Sequence, residues 1–309
     1  MRRISLYVRG QKTVPFMALM NNGRSVFRSR KLRASARGAS LLALVFFSAV
    51  CATQAQNFKG KPQREVITAG PQDSLRAQET LEYSVEWLGI PVGKIILKTE
   101  EIVAIDNRKC YHLSAVSFPN SFLRHLYDLE YQVDTYIDVE TLYPRRFTKT
   151  RRINKKVNYV VIDFYQRQKK ATYKSWGTSD YINISRSRGE MSIKPTADIP
   201  EGTQDLLSSF YYFRLLKIDK GRSYPLNVYY QQTNWQISMN VEKFFLRELR
   251  KKGTLETIAV SITSSLNDFI LGKHKFLVYL TADSRRIPLE FKVGTAMGPI
   301  HGIIQKLPE

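Results

Sequence analysis

Residues 205–221, Asp-Leu-Leu-Ser-Ser-Phe-Tyr-Tyr-Phe-Arg-Leu-Leu-Lys-Ile-Asp-Lys-Gly, carry the one strong helical pattern in a chain whose other ordered stretches read as strands. Asp205 suits an N-cap, Lys217 and Lys220 would stand in the last turn, and Gly221 supplies a stop. On a helical wheel Leu206, Phe210 and Phe213 share one side, and Leu207, Tyr211, Leu215 and Ile218 line the next. Apolar residues therefore cover most of the circumference, which leaves no wet face. The pattern predicts a helix over 205–218 with a curled antiparallel sheet, half-barrel or barrel-like, wrapped around it. The fold class is mainly β.

Alternation supplies the sheet. Leu81, Tyr83, Val85 and Trp87 alternate with Glu82, Ser84 and Glu86; Gly89-Ile-Pro-Val-Gly93 reads as the turn, and 95–102 as the returning strand. A strand at 110–116 is followed by a loop over Phe118–Phe122. In 126–139, Tyr127, Leu129, Tyr131, Val133, Thr135, Ile137 and Val139 form a packed face opposite a wet, acidic one that includes Asp134 and Asp138. Hairpins follow over 145–153, 157–165 and 171–176, and beyond the helix come strands at 224–231, 235–246, 253–263, 275–282, 287–293 and 300–306. One β-rich domain over 79–309 accommodates them, behind a polar leader at 56–78.

The first 55 residues are of another kind. They hold ten Lys or Arg, no Asp or Glu, and the apolar run Leu41–Val50. A basic region, a short apolar core and small residues up to Ala55 read as a secretory signal peptide, too short to span a membrane, and predict a periplasmic or outer-envelope location. Met17 and Met20 are alternative starts. Cys51, preceded by Val50, makes a poor lipidation site. After cleavage Cys110 alone remains, so no intramolecular disulfide forms, and it reads as a buried apolar residue.

Four segments occur in order: Tyr83-x-Val85-x-Trp87-x-Gly89-Ile90-x-Val92-Gly93; Thr141-Leu142-x-Pro144; Asp205-x-Leu207-Ser208-Ser209-x-Tyr211-Tyr212-x-Arg214; and Leu280-Thr-x-Asp283-x-x-Arg286-x-Pro288-Leu289. Together they resemble domain-of-unknown-function family 3108, a family of bacterial exported proteins, over about residues 80–306. The resemblance implies an envelope protein with a curved antiparallel sheet and implies no activity. It marks Trp87, Gly89, Gly93, Pro144, Asp205, Tyr211, Asp283, Arg286 and Pro288 as structural positions.

Catalytic and cofactor motifs do not stand out. The sequence has no Gly-x-Ser-x-Gly, His-Glu-x-x-His or Cys-x-x-Cys, and His112, His125, His274 and His301 are scattered without ligand spacing. No cofactor or metal is expected. Asp205 with Ser208 and Ser209 reads as a helix cap, and Asp283 with Arg286 as a structural ion pair or turn contact. Charge is more informative. Residues 145–194 carry 14 Lys or Arg against Asp163, Asp180 and Glu190, and Arg145, Arg146, Lys149, Arg151, Arg152, Lys155 and Lys156 crowd into twelve positions. In an exported protein such a run points to anionic lipid or glycolipid rather than nucleic acid; a solvated, pairing-resistant sheet edge is the plainer alternative. The expected function is non-enzymatic binding of an amphiphilic or anionic envelope component, or support of envelope assembly. The other readings are a hydrolase or glycan-active enzyme and a structural partner of another envelope protein. N-terminal sequencing of the exported chain is expected to begin at Gln56; finding residues 21–40 intact would exclude the signal-peptide reading.

Overall fold

The computed structural model describes residues 75, 78–126, 128–154, 156–177, 191–249, 253–264, 276–295 and 298–308. The signal segment, Cys51 and nearly all of the 56–78 leader lie outside these. Fifteen strands form one antiparallel sheet: β1 (Thr80–Trp87), β2 (Ile90–Ile105), β3 (Arg108–Pro119), β4 (Leu129–Asp138), β5 (Pro144–Ile153), β6 (Lys156–Tyr165), β7 (Lys170–Gly177), β8 (Ser192–Ile193), β9 (Ala197–Asp198), β10 (Ser223–Tyr230), β11 (Thr233–Leu249), β12 (Gly253–Ser264), β13 (Phe276–Thr281), β14 (Pro288–Val293) and β15 (Ile300–Ile304). Among the described residues two α-helices interrupt them, α1 (Ser121–Leu126) and α2 (Leu206–Leu215), besides a 3-10 turn at Gln166–Gln168.

Strands β1 to β7 run as one meander and β10 to β15 as another, and β15 pairs with β1 to join them. The edges of the sheet are β10 on one side and β8 with β9 on the other. The sheet curls until these edges approach: the ring of Phe164 on β6 meets that of Tyr229 on β10 edge-on at 6.2 Å. Residues 199–204 span the remaining gap. Ile199 N–H donates to the carbonyl of Lys169 at 2.9 Å, the Gln166 amide donates to the carbonyl of Thr203 at 2.8 Å, and Gln204 forms a parallel bridge with Val228.

Helix α2 lies on the concave side, and eight of its ten residues are buried. Phe213 packs edge-on to Tyr224 at 5.9 Å. At the N-terminus the Asp205 carboxylate accepts from the N–H groups of Leu207 (2.8 Å) and Ser208 (2.9 Å), while the Ser208 hydroxyl accepts from the Asp205 N–H at 2.8 Å. Thr135 on β4 donates to the second carboxylate oxygen. This reciprocal cap occupies the Asp205 and Ser208 side chains. Burial pushes the Asp205 carboxyl above its ordinary range, and these hydrogen bonds pull it back only in part.

Sequence periodicity overstated the helix at its far end. Helix α2 stops at Leu215, and Leu216 turns extended (φ −72°, ψ 146°) yet stays fully buried. Buried extended chain continues the apolar run, which is why the pattern reached Ile218. Lys217 and Lys220 lie beyond the last turn, and Gly221 (φ +75°) serves the turn into β10. The helix end is satisfied instead by Arg286, whose guanidinium donates to the carbonyl of Arg214 at 2.5 Å.

Three further expectations are corrected. The first hairpin turns at Leu88-Gly89 alone, and Ile90–Gly93 belong to β2: Trp87 pairs with Ile90 and Glu86 with Pro91, and a bulge at Val92 precedes the pairing of Val85 with Gly93. The stretch read as a loop and the start of a strand forms α1, capped by the Asn120 carbonyl of the side chain, which accepts from Leu123 N–H at 2.9 Å. Asp138 is buried rather than wet.

Leu75 packs into the core ahead of β1, and Glu79 is buried beside it in sequence. Arg214 Nη2 contacts both carboxylate oxygens of Glu79 at 2.7 Å and donates to the carbonyl of Arg285 at 3.1 Å. The guanidinium also stands over the ring of Tyr211 at 5.2 Å. Desolvation opposes its charge, but Glu79 more than offsets that and holds Arg214 firmly protonated. Glu79→Ala should destabilise the fold by about 3–5 kcal/mol by stranding a buried cation, and Glu79→Leu with Arg214→Met should recover most of that loss in denaturant melts.

Candidate functional site

Strand β5 decides where the basic run points. In an antiparallel ladder, directly paired residues share a face. Phe147 pairs with Thr135 and Ile162, Lys149 with Val133 and Val160, and Arg151 with Tyr131 and Asn158. Thr135 bonds the inner helix, and Val133, Tyr131, Val160 and Asn158 are all buried. Lys149 and Arg151 therefore stand on the inner, core-facing side of the curl. Lys149 Nζ lies 5.6 Å from the ring centre of Tyr230 on β10, a second contact across the gap in the sheet.

The alternate residues face outward and meet carboxylates. Arg146 Nε donates to Asp163 at 2.7 Å, Lys174 reaches the same carboxylate at 3.2 Å, and Arg152 pairs with Glu130 at 3.8 Å. Arg145 approaches Asp106 (3.7 Å) and Asp138 (3.8 Å) at the opposite end of the strand. Lys156 is exposed at the β5–β6 turn, and Lys155 lies outside the described residues. The seven cations thus divide between two faces and two ends of a hairpin. The clue was present in the sequence: Phe147, Lys149, Arg151 and Ile153 share one parity.

A small, mainly apolar cleft lined by Val85, Val92, Ile95, Leu123 and Leu129, together with Gly93 and Ser117, lies on the same inner side. Ser117 pairs with Tyr131, and Tyr131 pairs with Arg151, so the cleft and the two cations occupy neighbouring strands of one surface. The other end is plugged by α2 and the Arg214 cluster. The inner side of the curl is thus a cup, with α2 and the Arg214 cluster at one end and the cleft and the two cations on neighbouring strands of its wall.

The sequence matches the family described as "Protein of unknown function (DUF3108)" over residues 82–304. The chain belongs to this family. No curated protein matches the sequence. Among solved structures, the crystal structure of a beta-barrel-like protein of domain of unknown function DUF1849 from Brucella abortus is similar at 9% identity, with a TM-score of 0.44, covering 74% of this chain and 95% of that one.

The DUF3108 segments sit at joints of the fold. Trp87 ends β1, and Gly89 (φ +80°) completes the first hairpin turn. Gly93 lies so close to β3 that a Cβ would stand 2.5 Å from the Phe118 carbonyl oxygen. Pro144 opens β5, Tyr211 is fully buried with its phenol pushed up to about 12 by desolvation, and the Pro288 carbonyl accepts from Tyr83 at 2.9 Å. The Asp283 carboxylate accepts from Thr281 (2.6 Å) and Arg285, whereas Arg286 contributes its N–H to the turn and its side chain to the end of α2.

Among the described residues no group of three or more His, Cys, Asp or Glu side chains could hold a metal ion, and no helix is long and apolar enough to cross a membrane. His112 bonds Asp134 at 2.9 Å and stacks on Tyr136 on the outer face; His274 lies outside the described residues. Cys110 is buried on β3, and burial raises its thiol pKa.

Asp138 is the acidic hub of the β4–β5 connection. It accepts from Arg108 Nε at 2.9 Å and from the N–H groups of Glu140 (3.0 Å) and Thr141 (3.1 Å). Desolvation alone would raise its pKa, yet these donors together hold it below the ordinary 3.8. Its stabilisation is therefore complete above about pH 3.8 and is lost as the pH falls through the lower folded value. Asp138→Asn should lower stability at neutral pH by about 1.5–3 kcal/mol, with the gap from wild type closing in acid melts below that pH.

Proposed function

We propose that this DUF3108 protein is an exported, non-enzymatic binding protein that holds an amphiphilic anion of the cell envelope, such as a lipid or glycolipid. The apolar part lies in the cleft between β1, β2 and α1, and the anionic group lies against Lys149 and Arg151. The observation that carries this reading is the pairing of β5, which sets two cations on the core-facing side of the sheet beside Val133, Val160 and Tyr131. Beside apolar side chains the low polarity strengthens the attraction between a cation and an anion that enters the cup. Outward cations on the same strand face carboxylates of this chain and water, where an added anion gains little. Export rests on the N-terminal segment, which would deliver the cup to the periplasm where such amphiphiles are found.

Native mass spectrometry of protein purified from envelopes tests the proposal. Wild-type chain is expected to carry an anionic amphiphile that is lost from Lys149→Met with Arg151→Met and retained by Arg152→Gln with Lys156→Gln. Methionine keeps the volume of both stems, so folding should survive. Equal retention by the inner-face variant and wild type would refute the assignment.

A further inference from the structure

The turn between β1 and β2 breaks two local rules at once. It is a two-residue turn with both residues at positive φ, Leu88 at +52° and Gly89 at +80°. Turns of this kind favour Asn, Asp or Gly at the first place, because a branched apolar side chain there meets its own backbone. The β2–β3 turn obeys that preference with Asp106-Asn107 (φ +47°, +61°), and the β10–β11 turn, Gln231-Gln232 (φ +48°, +64°), departs from it but is polar. Leu88 rests against Gly298 yet stays 57% exposed, so the strained leucine gains only partial burial in return. Strain kept for so small a packing gain marks a position that can serve something outside the fold.

Leu88 has company. Ile90 is 62% exposed and Phe122, on α1, is 71% exposed. The two elements are tied together: Asn120, which caps α1, donates its side-chain N–H to the carbonyl of Pro91 at 2.7 Å and its backbone N–H to the carbonyl of Val92 at 2.9 Å. Leu88 is anchored from the other side by its N–H, which donates to the carbonyl of Pro299 at 3.3 Å. Three exposed apolar residues thus stand on two tied elements, forming a ridge at one end of the sheet, whereas exposed Ile102, Ile193 and Leu246 lie on three separate strands. The inner side of the ridge, Val92 and Leu123, is a wall of the apolar cleft.

We infer that the Leu88–Ile90 turn and the exposed face of α1 dock on an anionic lipid surface and bring the mouth of the cup to the bilayer. Exposed apolar side chains on a turn and a short helix suit insertion among head groups better than capture of a helix or strand, which needs a groove. Its charged surroundings fit an anionic surface: Arg124 and His125 follow Phe122 on α1 and are exposed, and Lys156 projects from a turn at the same end, against Asp128. The Arg124 guanidinium stands 5.8 Å from the ring centre of Phe118, which holds it beside the apolar tips. The inference deepens the amphiphile-binding reading, but it rests on a separate set of residues.

The experiment is sedimentation of the full mature chain with phosphatidylcholine vesicles, with and without phosphatidylglycerol, comparing wild type with Leu88→Asn, Ile90→Thr and Phe122→Ser combined. Wild type should pellet with the anionic vesicles, and the variant should bind them about tenfold more weakly or less. Leu88→Asn alone should hold or raise the melting temperature, since Asn suits the turn, so lost binding would not reflect unfolding. Amphiphile retention at Lys149 and Arg151 should be unchanged in the variant, and the Lys149→Met with Arg151→Met protein should still pellet; these arms separate the two readings. A wild-type chain that stays in the supernatant with both vesicle types would overturn the inference, as would a variant that pellets like wild type. Loss of a protein partner without loss of vesicle binding would reassign the ridge to that partner.

Discussion

A helix enclosed by a sheet has both of its ends out of water, and each end carries backbone groups that a helix cannot satisfy by itself. Satisfying those groups is the condition on which the rest of this fold depends. Asp205 and Thr135 provide for the N-terminus, and Arg286 provides for the last carbonyl, so the helix is pinned to β4 at one end and to the β13–β14 turn at the other. Arg214 adds a link to Glu79 at the entry to β1. Three distant parts of the sheet are thereby fixed around ten residues of helix, and the curl follows from where those anchors stand.

Much of this was legible before the structure. Alternating strands have a period of two and a helix has one near 3.6, so the element types along the chain follow from pattern alone, and Asp205 with Ser208 announced a cap. The errors have a common physical origin: periodicity reports burial, and burial does not require the element to continue. Leu216 remains in the core after the helix has ended, and Ile90 to Gly93 remain in a strand although they include a proline and end on a glycine. The short helix α1 was missed because six residues hold too few turns to show a period.

The basic run shows a different limit of reading along the chain. Counting charge along a sequence treats neighbours as partners, but a strand sends neighbours to opposite faces. Arg151 and Arg152 are adjacent in the chain, yet one shares the face of Tyr131 and the other meets Glu130. What matters for binding is the parity of each cation relative to Phe147 and Ile153. Parity can be read from sequence, but which parity is inward becomes certain only once the partner strands and the helix are in place.

The ladder between β1 and β15 joins the two meanders and pairs residues more than two hundred positions apart, Tyr83 with Ile304 among them. Every other long ladder joins strands that are neighbours in the chain and can form as hairpins while the chain is still emerging. Strand β1 must wait, one side paired with β2 and the other open, until the last residues arrive. For that interval the protein presents a bare edge rich in backbone donors and acceptors, next to the apolar side chains it will later enclose. A chain built this way is most vulnerable to aggregation before its synthesis is complete, and a truncation that removes β15 leaves that edge open for the life of the molecule.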